Sequence, residues 1–210
     1  MPKISPERKE SRRRQILEAA QQLFSRNGFH QTGMAEIVAA SRLSRGAVYG
    51  YFDSKDEIIE ALADDRHAHE SVLNEVAASR AEPLMALRAL VSAYAQDIAD
   101  PHGASRRRVG VHGWAEALRN ERVRHRIVEG TDAPRALIGS LVARAQREGA
   151  MRSDIEPDAV ARSLIALFQG FVLQETRRET FDTASCLMVI DHMLDGLSLK
   201  GRGVDEGAET

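Results

Sequence analysis

The sequence predicts an all-α protein, and three observations support this fold class. Apolar residues recur at intervals of three and four along most of the chain, helix-capping and helix-ending residues separate these stretches, and no stretch alternates like a β-strand. The clearest apolar stripe consists of Ile16, Ala19, Ala20, Leu23 and Phe24. With 210 residues, the chain is long enough to bury a hydrophobic core without help from disulfides or metals.

The first two predicted helices are bounded by recognisable signals. Ser5 followed by Pro6 is typical of a helix start, and Asn27-Gly28 is typical of a helix end. A second, short helix begins at Thr32 or Gly33, either of which can cap it. Its apolar residues share one face: Met34, Ile37 and Val38.

A third helix follows closely and completes a recognisable motif. The turn at Ser41-Arg42-Leu43 leads to Ser44, a helix cap, and the predicted helix runs about two turns to Tyr51 or Phe52. Ser54-Lys55-Asp56-Glu57 is a capping box that starts a fourth helix. Two short helices that follow a longer one and are joined by a tight turn predict a helix-turn-helix unit.

Charge is divided unevenly along the chain. Residues 1–56 contain ten Lys and Arg against six Asp and Glu, a balance of +4, although the whole chain has a net charge of −2. A basic segment suits contact with a phosphate backbone. The alternative is that these charges only form a solvent-exposed helix face.

The residues of this segment resemble those of TetR-family transcriptional regulators over about 50 positions. The resemblance implies that Ser44–Tyr49 is the recognition helix in the DNA major groove, with Tyr49 and Lys55 on phosphates and Thr32 as a further phosphate contact. It also implies a ligand-responsive regulator, by default a repressor released from its operator when a small molecule binds. The matching positions are Gly28, Phe29, Thr32, Ile37, Val38, Ser44, Gly46, Val48, Tyr49, Tyr51, Phe52, Ser54 and Lys55.

Side-chain chemistry favours the same surface independently. Gly46 and Ala47 are small enough for a helix to approach the groove closely, and the Ala47 methyl group can touch a thymine methyl. Arg45 can either read guanine through its forked donors or clamp a phosphate. Lys55 is expected to anchor the DNA backbone, and Tyr51 is expected to be a further DNA-binding residue.

Two positions depart from the family pattern. Gly33 stands where many relatives have a second Thr or Ser that caps helix two and binds phosphate, so one contact is missing. Arg42 lies in a turn where an Ala-Gly-Val type of sequence is commoner, so it must adopt an unusual backbone angle or a different turn.

The remainder is predicted to be helical as well. The expected division is a DNA-binding domain over 1–56, a larger ligand-binding and dimerisation domain over 57–200, and a disordered tail over 201–210. One predicted helix is kinked or re-started near Pro134. The helices that contain Val160–Leu173 and Leu187–Leu197 are apolar over more than one face, which indicates either two central core helices or a homodimer interface on the last two helices. A two-fold dimer would suit a palindromic operator.

Aromatic and polar residues in this region predict an effector site for an apolar or aromatic small molecule, unless they simply fill the core. The predicted lining consists of Tyr94, His112, Trp114, Leu141, Phe168, Gln169 and Phe171.

Other function classes are less well supported. No nucleophile with its base, carboxylate pair or ligand cluster indicates an enzyme, and no cofactor is expected. His67, His69 and Glu70 lie close together, but only His67 and Glu70 have a usable helical spacing, so no metal site is expected. No apolar run is long enough to span a bilayer, and the lone Cys186 suits a reducing compartment, so a cytoplasmic location is expected. The remaining alternative is a constitutive architectural DNA-binding protein without a ligand.

Overall fold

A computed structural model describes residues 5–78, 82–177 and 182–199 of the chain. These ranges form nine α-helices, one 3₁₀ turn at Pro101–Gly103 and no β-strand, which confirms the all-α prediction. The predicted tail over 201–210 lies outside the described residues. The helices are α1 (Pro6–Asn27), α2 (Met34–Ser41), α3 (Arg45–Tyr49), α4 (Lys55–Ala78), α5 (Pro83–Ala99), α6 (Ala104–Glu116), α7 (Glu121–Arg147), α8 (Pro157–Thr176) and α9 (Thr183–Leu197).

The helices form two compact units. The first unit contains the described residues up to Ala68 together with His102–Gly130, and the second contains the described residues of His69–Pro101 and of the chain from Thr131 onward. The helix-turn-helix therefore shares its unit with α6 and the beginning of α7. The division into a DNA-binding domain that ends at residue 56 and a ligand-binding and dimerisation domain that follows it stays a prediction.

The core of the first unit is built on α1. Ser5 caps this helix by accepting a hydrogen bond from the Arg8 backbone N–H at 3.3 Å, and Gly28 ends it with a φ of 73°, a value that glycine adopts without strain. Phe24 is fully buried and meets the ring of Phe29 edge to face at 4.8 Å. The other core residues of this unit include Ile16, Leu17, Ala20, Ile37, Val48, Phe52, Ile58, Ile59, Ala61, Leu62 and Val123.

The turn between α2 and α3 is tight. Gly33 is the N-cap of α2 and has no side chain to cap it, but its N–H donates to the Glu36 carboxylate at 2.7 Å, which is the other half of a capping box. Arg42 has a φ of 57° and a ψ of 21°, the left-handed conformation that costs a non-glycine residue about 1 kcal/mol or more. Of the two alternatives for Arg42, the unusual backbone angle is therefore the one found.

Helix α3 is shorter than predicted. It covers Arg45–Tyr49 rather than continuing to Tyr51 or Phe52, because Gly50 caps it and the chain leaves through a turn. Val48 is fully buried, so the helix is attached to the core by one side and exposes the other. Such a short helix depends on this attachment for its stability.

The second unit is built around α5, α7, α8 and α9. Helix α7 is continuous through Pro134, so a re-started helix at this position is wrong. Asp182 caps α9: its carboxylate accepts hydrogen bonds from Ser185 Oγ at 2.6 Å and from the Ala184 N–H at 3.0 Å, and these bonds lower its pKa. The buried core residues of this unit are Leu84, Ala86, Leu87, Leu90, Val91, Ile138, Leu141, Val142, Ala145, Ala150, Met151, Val160, Ala161, Leu164, Ile190 and Leu194.

Two further observations concern membranes and metals. In the described ranges, every helix is too short or too polar to serve as a membrane span. Nor do three or more His, Cys, Asp or Glu side chains gather there in a way that suits a metal ion. His69 instead faces Asp97, with 2.8 Å between Nε2 and Oδ1, while the side chain of Glu70 lies outside the described residues.

Candidate nucleic-acid interface

Helix α3 presents an exposed face that begins at its N-cap. The Ser44 hydroxyl accepts a hydrogen bond from the Ala47 N–H at 3.2 Å, which fixes the first turn of the helix. Ser44, Arg45 and Gly46 are exposed, and Ala47 is half-buried. The N-terminal turn of α3 is therefore available to a partner, as a helix that reads the major groove requires.

Arg45 lies over the ring of Tyr49, one helical turn later. The guanidinium carbon is 5.3 Å from the ring centroid, a cation–π contact that is worth about 0.5–1 kcal/mol at an exposed site. Because the stacked guanidinium keeps its N–H donors at its edge, the contact orients Arg45 without using up those donors. This arrangement suits either a guanine edge or a phosphate.

Gly46 has open space where a side chain would begin. A Cβ atom added to it would meet nothing within 4 Å. A larger residue would therefore fit the isolated protein, and the small size of Gly46 matters only if another molecule approaches the helix. This is what close docking of the helix in a DNA groove would require.

Lys55 is held in place by the first unit. Its Nζ donates a hydrogen bond to the Phe29 carbonyl oxygen at 2.6 Å, which leaves two of its three donors available. Lys55 begins α4, where Ser54 Oγ accepts from the Glu57 N–H at 3.3 Å and the Glu57 carboxylate accepts from the Asp53 N–H at 2.8 Å. The predicted cap is present, although Glu57 reaches one residue further back than in a standard capping box.

Thr32 lies in the turn between α1 and α2. Its side chain is fully buried, and its hydroxyl donates to the Gly28 carbonyl oxygen at 2.9 Å. A phosphate contact through this hydroxyl would require the turn after α1 to open, so in this structure Thr32 supports that turn and its phosphate contact stays a prediction. Tyr51 is half-buried and packs against the core of the first unit.

Sequence reasoning missed Gln15. This α1 residue donates from Nε2 to the Ser41 carbonyl oxygen at 2.7 Å, which ties α1 to the turn before the recognition helix. In the sequence, Gln15 is a polar residue at the border of the apolar stripe of α1. A side chain that only contacts solvent has the same pattern, so the sequence does not distinguish the two.

The predicted effector residues are distributed over both units. Tyr94 and Phe168 lie 5.4 Å apart in the second unit, Phe171 is 6.4 Å from Phe168, and Leu141 is buried in the same core. Gln169 is half-buried in α8. The remaining two predicted residues, His112 and Trp114, belong to the first unit.

His112 and Trp114 have neighbours of their own. The His112 ring lies 6.2 Å from the ring of Phe29 and also borders Gly28, while Trp114 lies under the guanidinium of Arg66 at 5.9 Å. His112 thus contacts the turn between α1 and α2, whose Phe29 carbonyl accepts the hydrogen bond from Lys55.

Among the described residues, a more open pocket of about 270 Å³ lies beside Arg152, Asp154 and Leu199 in the second unit, and two smaller cavities lie within the units. A cavity of about 40 Å³ lies between α4, α6 and α7 in the first unit, and a cavity of about 10 Å³ is bordered by Phe171, Cys186 and Leu187 in the second. Spaces of this size hold roughly one to a few water molecules, whereas ligand pockets occupy about 300–1,000 Å³.

Comparison with known proteins identifies both parts of the chain. A family model described as "Bacterial regulatory proteins, tetR family" matches residues 16–62, and one described as "BetI-type transcriptional repressor, C-terminal" matches residues 83–199. The chain is 43% identical to the uncharacterized regulator YfiR of Bacillus subtilis over 63 residues, which are 30% of this chain and 31% of YfiR. It is 26% identical to the regulator UidR of Escherichia coli over 88% of this chain and 92% of UidR.

Solved structures agree. GusR of Salmonella enterica superposes with a TM-score of 0.75 at 25% identity, covering 93% of this chain and 98% of GusR. A regulator from Saccharomonospora viridis gives a TM-score of 0.71 at 23% identity, covering 90% of this chain and 98% of that one. The exposed N-terminal turn of α3, the capped start of α4 and these matches lead to one conclusion: the chain belongs to the TetR family of bacterial transcriptional regulators.

Proposed function

We propose that the protein is a homodimeric repressor that leaves a palindromic operator when a small molecule binds its second unit. The observation that carries this proposal is the exposed turn of α3, where Arg45 is held over Tyr49 and Gly46 leaves the backbone open to close approach. Because the proposed activity acts on operator DNA, we propose a cytoplasmic location.

We assign recognition of the bases and contacts with the DNA backbone to different residues. Ser44, Arg45, Gly46 and Ala47 lie at the N-terminal end of α3, the part of a recognition helix that reaches base edges. Lys55 and Tyr49 serve the DNA backbone, and Lys55 does so with the donors that Phe29 leaves available.

The last two helices supply the proposed dimer interface. Met188, Val189 and Met193 on α9 are 52–59% exposed, and Leu173 on α8 is 41% exposed. Large apolar side chains exposed on the last two helices favour a surface that a partner covers, and a second copy of the chain would cover them symmetrically.

One side of α9 is already occupied by ion pairs with α5. Arg88 on α5 pairs with Asp191 and with Asp195, the latter at 2.5 Å. Burial opposes the charge on Arg88, but hydrogen bonds and the two carboxylate charges outweigh this effect and raise its pKa. This link attaches α9 to α5 and leaves Val189 and Met193, on the other side of the helix, to a partner.

For the effector we propose an apolar or aromatic molecule that contacts Tyr94, Phe168 and Phe171. These rings already contact each other, and Phe171 also borders the small cavity beside α9. Among the structural neighbours, the Saccharomonospora viridis regulator was solved with choline, and another, KstR2 of Mycobacterium tuberculosis, is described as a ketosteroid regulator. The same helical fold thus serves regulators with chemically different small molecules.

Binding to palindromes from the DNA that flanks the coding region, with random DNA as competitor, tests the operator-reading part. We expect selective binding that Arg45→Ala weakens, either at one base position per half-site or uniformly if Arg45 holds a phosphate. Arg124→Ala is the matched control, because Arg124 is exposed on α7 of the same unit and pairs with Glu121. Equal affinity for random DNA would contradict the proposal.

Sedimentation tests the dimer. Met188→Glu combined with Met193→Glu should give a monomer, because two carboxylates on each copy would be buried without partners. Ala136→Glu, at an exposed position of α7, is the control and should remain dimeric. A dimer that survives the double substitution unchanged would place the interface elsewhere.

A further inference from the structure

We propose that the first two turns of α1 form a second DNA-backbone contact beside α3, in which Arg8 and Arg12 bind phosphates of the duplex that α3 reads. The inference rests on the proposed function and adds a surface that lies outside the recognition helix and the start of α4.

The first evidence is that this part of α1 has no place in the core. The helix begins at Pro6, yet its first buried residue is Ile16. At a rise of about 1.5 Å per residue, roughly 15 Å of helix therefore extends beyond the buried part. No residue of this segment is buried, although Arg12 and Arg13 are half-buried, so the segment adds little to the core and its charged groups can contact a partner.

The second evidence is the position of this segment relative to α3. Gln15 donates to the Ser41 carbonyl oxygen at 2.7 Å, directly before the turn that leads into the recognition helix. Arg12 and Arg8 precede Gln15 by three and seven residues, so the three side chains share one face of α1. Arg8 and Arg12 therefore extend, toward the start of α1, the helix face that contacts this turn.

A second contact fixes the segment from the other side. The guanidinium of Arg13 lies 5.9 Å from the ring centroid of Phe52, which follows α3 in the chain. Arg13 also faces Glu10 at 3.8 Å and Asp65 at 3.7 Å. Glu10 is thus drawn to Arg13, and it lies roughly on the opposite side of the helix from Arg12.

The third evidence is the lack of carboxylate partners on this face. Within the described part of the chain, Arg8 and Arg12 form no ion pair, and Arg42 in the adjacent turn forms none either. By contrast, neighbouring arginines on α7 of the same unit each face a carboxylate: Arg122 with Glu60, Arg124 with Glu121, and Arg126 with Asp64 and Glu129. Unpaired cations next to a recognition helix complement the negative charge of a phosphate backbone. Here they would extend the proposed DNA-binding surface of α3.

The expected effect is a change in salt dependence rather than in base preference. Each phosphate contact contributes about −0.9 to the slope of log affinity against log salt. Arg8 and Arg12 would give four such contacts in a dimer. The full-length Arg8→Ala/Arg12→Ala protein should therefore have a slope smaller by about 3.6, and between 50 and 200 mM salt it should lose about 150-fold less affinity than the wild type.

A matched pair of single variants provides the control. Arg12→Ala should reduce the slope by about 2 per dimer, whereas Arg14→Ala, which removes the same charge from a different face of the same helix, should leave it nearly unchanged. Alanine favours helix, so circular dichroism should show both variants folded. Equal slopes for the two variants would overturn the α1 contact and leave only a general charge effect.

The experiment also separates this inference from the proposed function. Phosphate contacts do not depend on sequence, so the slope difference between Arg12→Ala and Arg14→Ala should appear on a random duplex as well as on the operator. If the wild type showed no selectivity, the operator-reading proposal would fail while the α1 contact could still be confirmed or overturned on random DNA.

Discussion

Replacing Lys55 by methionine should separate two roles of one side chain. In the structure its ammonium group donates to the Phe29 carbonyl oxygen at 2.6 Å, and we propose that its remaining donors hold a DNA phosphate. Methionine keeps most of the apolar length but removes the charge and all donors. The substitution should therefore remove both the hydrogen bond to Phe29 and the phosphate contact. The first loss is measured as protein stability and the second as DNA binding.

The stability effect can be estimated from the hydrogen bond. A bond to a charged group is worth about 1.5–3 kcal/mol, and we reduce this to about 1 kcal/mol because Lys55 is only half-buried. For a chain of this size, such a loss lowers Tm by about 2–4 °C. For DNA, the loss of one phosphate contact per protomer should reduce the salt slope by about 2 per dimer.

Lys55→Arg is the informative control. It keeps the positive charge for the phosphate, but its planar fork does not reproduce the point contact with Phe29, so the DNA slope should recover more fully than Tm. Differential scanning calorimetry and a salt titration of operator binding measure the two effects. If Lys55→Met kept both the wild-type Tm and the wild-type slope, Lys55 would be a solvated surface residue and the reasoning would be refuted.

Three further predictions concern other contacts. Tyr49→Ala should weaken DNA binding more than Tyr49→Phe, because only the former removes the ring under Arg45, and a fluorescence titration that ranks them equally would exclude this stacking role. Gly130→Ala should lower Tm, since its Cβ would lie 1.9 Å from Nε2 of His67, and His67→Ala should restore stability in the double variant. The lowered pKa of Asp182 gives stability that is present above its unfolded pKa and lost as pH falls through the folded value, so acid unfolding of Asp182→Asn should depend less steeply on pH below about 4.

Sequence patterns predicted the elements whose causes are local. Ser5 and Gly28 bound α1 as expected, because a hydroxyl cap and a positive φ are properties of single residues. Ser44 likewise caps α3. The left-handed backbone at Arg42 was one of two alternatives, since the short turn required it but the side chain opposed it.

Features that depend on tertiary contacts were harder to predict. The burial of Thr32 follows from how the turn after α1 folds back on Gly28, which no local pattern encodes. The same holds for His112 and Trp114, because their place in the first unit depends on the long-range packing of α6 against α1. A spacing pattern shows which face of a helix is apolar but not which neighbour covers it.

The chain contains a single tryptophan, Trp114, and its position has a practical consequence. Because the indole lies beneath the Arg66 guanidinium in the first unit, its emission should respond to changes around α4 and α6. Intrinsic fluorescence can therefore follow the DNA-reading part of the molecule without an added dye. If an effector bound at Tyr94, Phe168 and Phe171 in the second unit changed this signal in the absence of DNA, and Phe168→Ala removed the response, the change would report that effector binding alters the first unit.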